Sequence, residues 1–329
     1  MPTCTHPLRP RGALAFALLA GLGLGALPAV GQGPAYEFPS YELVWEGGFE
    51  NGWGPPEWHT YDNGSWSPDG SMPPGRVSAW TIVDRASGEP VFEGDHAYRG
   101  WITGTAGASH RAYPGISAGP RYHLPAPIET PFVNTFHVWL DVDWSQLGPS
   151  DWIHFGTWSN DPDWCVHTMS VKAGKLEFAH MVPFSGEWIG PVPKPDFPLR
   201  RWVRLTVYVE YDGDEGFVQA WQDGVPVLRG RFTQCQGSYL YHAHWGMYAN
   251  GAVFDAVQYN DALRIWTLDR KLTDEELLHE PIPAPEPPAG CGQGAALATL
   301  GAALALTRRP RQERGRVRSS TCGGGPRPA

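Results

Sequence analysis

Residues 238–266 read SYLYHAHWGMYANGAVFDAVQYNDALRIW, and His242, His244, Gly246, Tyr248 and Asn250 fall at every second position. An extended strand sends such residues to one face and Ala243, Trp245 and Met247 to the other. Two imidazoles, a phenol and an amide would then share one surface, beside a gap left by glycine. Imidazoles titrate near neutral pH, so such a surface suits proton transfer or hydrogen bonding to a hydroxyl-rich ligand. A solvated sheet face is the plainer account of the same pattern. The following strand alternates likewise, with Val257, Tyr259, Asp261 and Leu263 against Gln258, Asn260, Ala262 and Arg264.

Other stretches offer partners. Residues 152–158 align Trp152, His154, Gly156 and Trp158. A strand over 110–113 puts Arg111 and Tyr113 on one face. Residues 132–144 give an apolar row of Phe132, Phe136, Val138, Leu140 and Val142. The opposing polar row holds Thr135, His137, Trp139, Asp141 and Asp143. His137, Trp139, Tyr113, Trp158, His242 and Asn250 are the expected sugar contacts around Tyr248.

These strands need a β framework, and the composition supplies one. The 329-residue chain carries 16 Trp, 12 Tyr and 13 Phe with 40 Gly and 33 Pro, the profile of a turn-rich β protein. Strands are expected at 78–83, 97–103, 166–172, 175–181, 202–210, 216–222 and 225–228. Asp223-Gly224 and Ala173-Gly174 mark hairpins. Many short strands without intervening helices indicate a sandwich of two antiparallel sheets. One short C-terminal helix is expected where Thr273-Asp274-Glu275-Glu276 forms a capping box ahead of Leu277 and Leu278. The net charge of −9, with no basic cluster in the body of the chain, argues against nucleic-acid binding.

The ends read as processing segments. Arg9 and Arg11 precede an apolar run to Leu27, and Ala29-Val30-Gly31 suits a signal peptidase, giving a signal peptide over 1–31. The β domain then spans 32–280. A proline-rich linker covers 281–290, followed by a hydrophobic segment and arginine-rich tail over 291–329. The apolar run after Cys291 is marginal in length for a transmembrane span, and the arginines after it predict a cytoplasmic end. Cys165 and Cys235 remain in the domain as one pair that could bridge in an oxidising compartment; two free buried thiols are the alternative. Glu50 and Asp261 are the carboxylates that a structural calcium ion would use. Nothing in the sequence calls for an oligomer, so a monomer is expected.

Five segments carry a family resemblance: GGFENGW, WVRLTVYVEYDGDEGFVQAWQDGVPVL, HWGMYANG, YNDALRIW and LDRKLTDEELL. Their order resembles the concanavalin A-like, laminin-G-like jelly roll over about residues 47–278. That fold hosts lectins, hydrolases, lyases and adhesion modules, so the resemblance speaks to architecture before activity. Within it, HAHWGMYAN is similar to the Tyr-Phe-Lys-Ala-Gly-x-Tyr-Asn-Gln strand of jelly-roll alginate lyases. Gly246 and Tyr248 match, while His242, His244 and Asn250 stand where that family has tyrosine, lysine and glutamine.

The resemblance implies β-elimination on a uronate. Arg111 would neutralise the carboxylate, His154 or His244 would take the proton, and Tyr248 would protonate the leaving oxygen. The family's Gln-x-His motif keeps only its histidine here, in Trp152-Ile153-His154, and its Arg-x-Glu-x-Arg strand is reduced to Arg111-Ala112-Tyr113. The Glu-x-Asp-x-x-Glu signature of jelly-roll hydrolases is absent, which argues against hydrolysis by paired carboxylates. The tail resembles MYXO-CTERM sorting signals, implying a sorting protease acting near Cys291 and display on the outer cell surface. Three functions follow as expectations: a polysaccharide-binding module, a lyase at the same face, or a structural surface protein without ligand.

Overall fold

A computed structural model describes residues 39–51, 59–60, 65–117, 126–160, 166–182, 185–189, 195–212, 215–233 and 239–282. The leader, Cys165, Cys235, Cys291 and the tail from 291 lie outside the described residues. The chain divides into two units, Met1–Ile282 and Pro283–Ala329. The first is an all-β sandwich of jelly-roll type. No helix among the described residues is long and apolar enough to cross a membrane.

One layer, the back sheet, runs Val225–Thr233, Glu215–Gln222, Trp202–Asp212, Phe132–Asp141, Ala256–Leu268, His96–Ile102, Ser78–Asp84 and Ser65–Trp66, with Tyr41–Gly47 also paired to Ala256–Leu268. The other, the groove sheet, runs Ser185–Ile189, Lys175–Val182, Val166–Lys172, Trp152–Ser159, His242–Ala249, Pro114–Ser117 and His59–Thr60; His110–Ala112 pairs with the far end of His242–Ala249. Strand alternation fills the space between them. Phe136, Val138, Leu140, Val203 and Leu205 face inward from the back sheet, and Ile153, Phe155, Met169, Phe178, Trp245 and Met247 from the groove sheet, all fully buried.

The expected hairpin signals form as such. Asp223 and Gly224 take φ of 51° and 85°, and Ala173 and Gly174 take 48° and 76°, the left-handed pair a tight two-residue turn requires. At the C-terminal end the Thr273 N–H donates to Glu276 Oε2 at 2.7 Å and the Glu276 N–H donates to Thr273 Oγ1 at 3.3 Å. That capping box closes a single 3-10 turn, Glu276–Leu278, rather than a longer helix.

Asn134 ties the layers together. From the back sheet its Oδ1 accepts the indole N–H of Trp158 at 3.1 Å and of Trp245 at 3.0 Å, while its Nδ2 donates to the Arg264 carbonyl at 2.8 Å. Both tryptophans sit on the two strands that carry the groove histidines. Asn134→Leu would remove the acceptor that the two buried indole N–H groups share, and is expected to cost ~2–4 kcal/mol in urea unfolding. An unchanged midpoint would show that these bonds contribute nothing.

Candidate functional site

The alternation expected in His242–Ala249 holds: Ala243, Trp245, Met247 and Ala249 are buried in the core, and His244 and Tyr248 face the opposite way. Pairing aligns His154 and Arg111 with Tyr248, and Thr157 with His244. The result is a cavity of about 540 Å³ on the outer side of the groove sheet. Among the described residues its walls are Arg111, Tyr113, Trp152, His154, His244 and Tyr248, with Thr157, Val166, Thr168 and Ala179.

Tyr248 is the hub. Its ring lies 4.8 Å from His154, 5.0 Å from Trp152, 5.4 Å from Tyr113 and 5.9 Å from His244, centroid to centroid. The exposed Arg111 guanidinium stands 5.6 Å from the same ring, within cation–π reach. Tyr113 stacks on His244 at 3.9 Å with an 11° interplanar angle and so fixes the imidazole plane. Trp152 stacks on His154 at 4.2 Å.

Two enclosed polar atoms of this wall, His154 Nδ1 and Thr157 Oγ1, have no hydrogen-bond partner among the described residues. Buried polar atoms are rarely left so, and a ligand or ordered water is the usual partner. Burial pulls the His154 pKa down to about 3, so the ring is neutral at ordinary pH and a weak proton acceptor. No Asp or Glu is among the described residues lining the cavity. The paired carboxylates of glycoside hydrolysis have no counterpart among those described residues.

Several expected contacts lie elsewhere. Trp158 is fully buried, inside the sandwich rather than on the groove face. A bulge between His154 and Gly156 shifts the register by one residue, so Thr157 takes the outward position and Trp158 turns inward. Gly156 permits this, since a Cβ there would lie 2.8 Å from the Trp158 ring. His137 and Trp139 do point away from the core as their alternation requires, but from the back sheet, on the opposite side of the molecule. Asn250 ends its strand, and its Oδ1 accepts the Ala252 N–H at 2.8 Å, a turn-closing role outside the cavity. His242 lies further along the groove face, ring against Tyr241 at 4.9 Å, and does not line the cavity. Sequence reasoning missed Thr157, hidden by the bulge, and gave no site role to Trp152, which the alternation had aligned with His154.

Glu50 and Asp261 line a second cavity of about 460 Å³. Asp261 Oδ2 accepts the N–H groups of Phe92 at 2.9 Å and Glu93 at 3.0 Å, and Oδ1 accepts that of Ala262 at 2.7 Å. Burial raises its pKa to about 6 against those bonds, and the charge of Glu50 adds to the rise. Burial would also raise Glu50, but the backbone N–H groups of Asp95 and His96 hold it below the usual carboxylate range. No group of three or more His, Cys, Asp or Glu is arranged to hold a metal ion among the described residues, so a cation here would also need backbone oxygens.

No family model matches the chain, and no curated protein matches it. Solved structures overlap it at low identity. Cellulose induced protein, Cip1, is 10% identical over 67% of this chain and 96% of that one, with a TM-score of 0.48. The catalytic domain of a glycoside hydrolase family 131 protein from Coprinopsis cinerea is 12% identical over 70% of this chain and 96% of that one, at 0.41. The botulinum neurotoxin serotype G binding domain is 9% identical over 62% of this chain and 46% of that one, at 0.38.

Proposed function

We propose that this chain is an exported polysaccharide-binding protein whose cavity takes an acidic glycan. The observation that carries this is the cavity wall. Among the described residues, Arg111 is its only charged side chain, set beside aromatic rings, and two enclosed polar atoms have no hydrogen-bond partner. A guanidinium recognises a sugar carboxylate through two parallel hydrogen bonds, and aromatic rings take the apolar face of a pyranose. Export, processing by a sorting protease and display on the outer surface, anchored through the C-terminal tail, rest on the leader and tail patterns alone. Affinity electrophoresis through gels holding polyglucuronate, alginate or polygalacturonate tests the binding. No retardation in any of them would leave only a structural surface protein.

A second reading, β-elimination, is favoured by one observation: the Arg111 guanidinium and the His244 ring lie 5.6 Å and 5.9 Å from the Tyr248 ring in the same cavity. Arg111 would stabilise charge on the uronate carboxylate as His244 takes the C5 proton. The C5–H electron pair would form the C4–C5 double bond, and the C4–O bond would break as Tyr248 protonates the departing oxygen. The low pKa of His154 makes it a weak base for this step. Incubation with the same polymers is expected, on this reading, to generate ultraviolet-absorbing unsaturated ends, and Tyr248→Phe to abolish them. Binding without product assigns the module instead.

Glu50 and Asp261 support a structural calcium proposal, since a nearby cation would offset the burial that chiefly raises Asp261 and the smaller repulsion from Glu50. Millimolar calcium is expected to raise the melting temperature by several degrees, and Asp261→Asn to remove the rise. Identical melting with calcium and with chelator would exclude the ion.

A further inference from the structure

The outer face of the back sheet holds a second aromatic surface that the cavity does not explain. Trp202 pairs directly with Trp139, Trp139 with Tyr259, and Tyr259 with Arg99, giving one row across four adjacent strands. At the usual spacing between strands the row spans about 14 Å. Trp139 meets Tyr259 edge-on at 5.1 Å. Phe92 stacks on His137 at 3.5 Å and meets Trp202 edge-on at 5.9 Å.

A small core beneath the 85–95 loop accounts for part of this. Val83, Val91, Ala97 and Tyr259 are buried there. It does not account for Phe92, which stays 42% exposed beside the buried Val91. Asp261 accepts the backbone N–H groups of Phe92 and Glu93, so the loop is pinned with the phenyl ring displayed. Trp139 and Trp202 are only partly buried. Rigid, pre-positioned aromatic rings are the groups that stack on sugar at little ordering cost.

The charges around the patch select among ligands. The arginines near it are paired: Arg99 with Glu89, Arg200 with Asp141, Arg201 with Asp223, Arg204 with Glu280, and Arg264 with Glu46 and Glu93. These couples leave no net positive charge to attract a polyanion. They do present guanidinium donors and carboxylate acceptors together at the rim, which matches hydroxyl groups that both donate and accept. We propose that this face is a second glycan-binding surface, built on Phe92, Trp139 and Trp202 and suited to an uncharged polysaccharide.

Affinity electrophoresis in gels holding hydroxyethyl cellulose, soluble xylan or galactomannan tests it. Retardation is expected in at least one. Phe92→Ala and Trp202→Ala should each weaken it about five- to tenfold, with melting curves checking that both variants fold. Phe92 is exposed enough that its truncation leaves the core filled. Arg111→Ala, on the opposite side, should leave neutral-glycan retardation intact, so failure here is separable from failure of acidic-glycan binding. No retardation in any neutral gel would overturn the proposal, as would retardation that survives both aromatic substitutions or disappears in Arg111→Ala. Concentration-dependent dimerisation that Trp202→Ala abolishes, without neutral-glycan binding, would give the surface to a second copy of the chain instead.

Discussion

Replacing Gly246 by alanine is expected to destabilise the fold by about 4 kcal/mol and to disable the cavity with it. Gly246 has φ of 107°, a backbone conformation that L residues rarely adopt, at a cost of roughly 1–3 kcal/mol. A Cβ there would lie 2.7 Å from the ring of Tyr98, which is fully buried and has no room to retreat. Overpacking of that kind adds about 1–3 kcal/mol. Tyr98 is also held by polar bonds: its hydroxyl donates to the Ala112 carbonyl and accepts the Met247 N–H at 3.0 Å. The strand carrying His244 and Tyr248 thus rests on this phenol, and Ala112 separates Arg111 from Tyr113. Displacing the ring would move both sides of the site. Urea unfolding measures the loss. A double-mutant cycle with Tyr98→Leu should recover part of it, because the smaller side chain restores the space. Wild-type stability in Gly246→Ala would refute the close-approach account.

The second large effect is loss of stability in acid. Burial holds the pKa of His137 and His154 down to about 3, and burial followed by the neighbouring His180 takes His167 well below its usual value. His167 and His180 stack at 4.6 Å inside the sandwich, with the Tyr211 hydroxyl 3.2 Å from His167 Nδ1. In the unfolded chain each imidazole titrates near 6.5. Between about pH 6.5 and 3 the unfolded state therefore binds more protons, and stability falls as pH falls. Each such histidine contributes a slope of about 1.4 kcal/mol per pH unit in that window. Asp261 works the other way. Its carboxyl is raised to about 6, so its contribution is fully present below about 4 and is lost as pH rises through 6. One raised carboxyl does not offset three depressed imidazoles. Urea midpoints measured from pH 7.5 to 4.5 should fall steeply below about 6, and His154→Gln should reduce the slope by about one proton. A flat profile over that range would contradict the buried, neutral histidines.

What could be read from the sequence was local. The every-second-residue spacing put His244 and Tyr248 on one face of their strand, as the structure has them, because alternation is a property of one strand. Asp223-Gly224 and Ala173-Gly174 named their hairpins, because turn chemistry sits in two residues. The bulge at His154/Gly156 was not legible, since it depends on how that strand meets both neighbours. It exchanged Trp158 for Thr157 at the cavity. A second bulge, at Asp261, has Ala262 at φ of 50°, and it turns Leu263 and Ile265 into the core. His137 and Trp139 were assigned the right orientation on their strand and the wrong layer. Which sheet a strand joins is set by pairing over long sequence separation, and no local pattern records it. Asn134, which looks like an ordinary polar interruption in a strand, is the bond between layers for the same reason.

Calorimetric titration of polyglucuronate and alginate fragments into the purified domain, for wild type, Arg111→Ala and Trp152→Ala, tests the proposal that the cavity around Tyr248 binds an acidic polysaccharide through Arg111 and Trp152. Saturable binding to at least one is expected, weakened about tenfold or more by each substitution, and weakened by salt for wild type but much less for Arg111→Ala. Binding that ignores both substitutions, or the absence of binding to every acidic glycan tried, would contradict it.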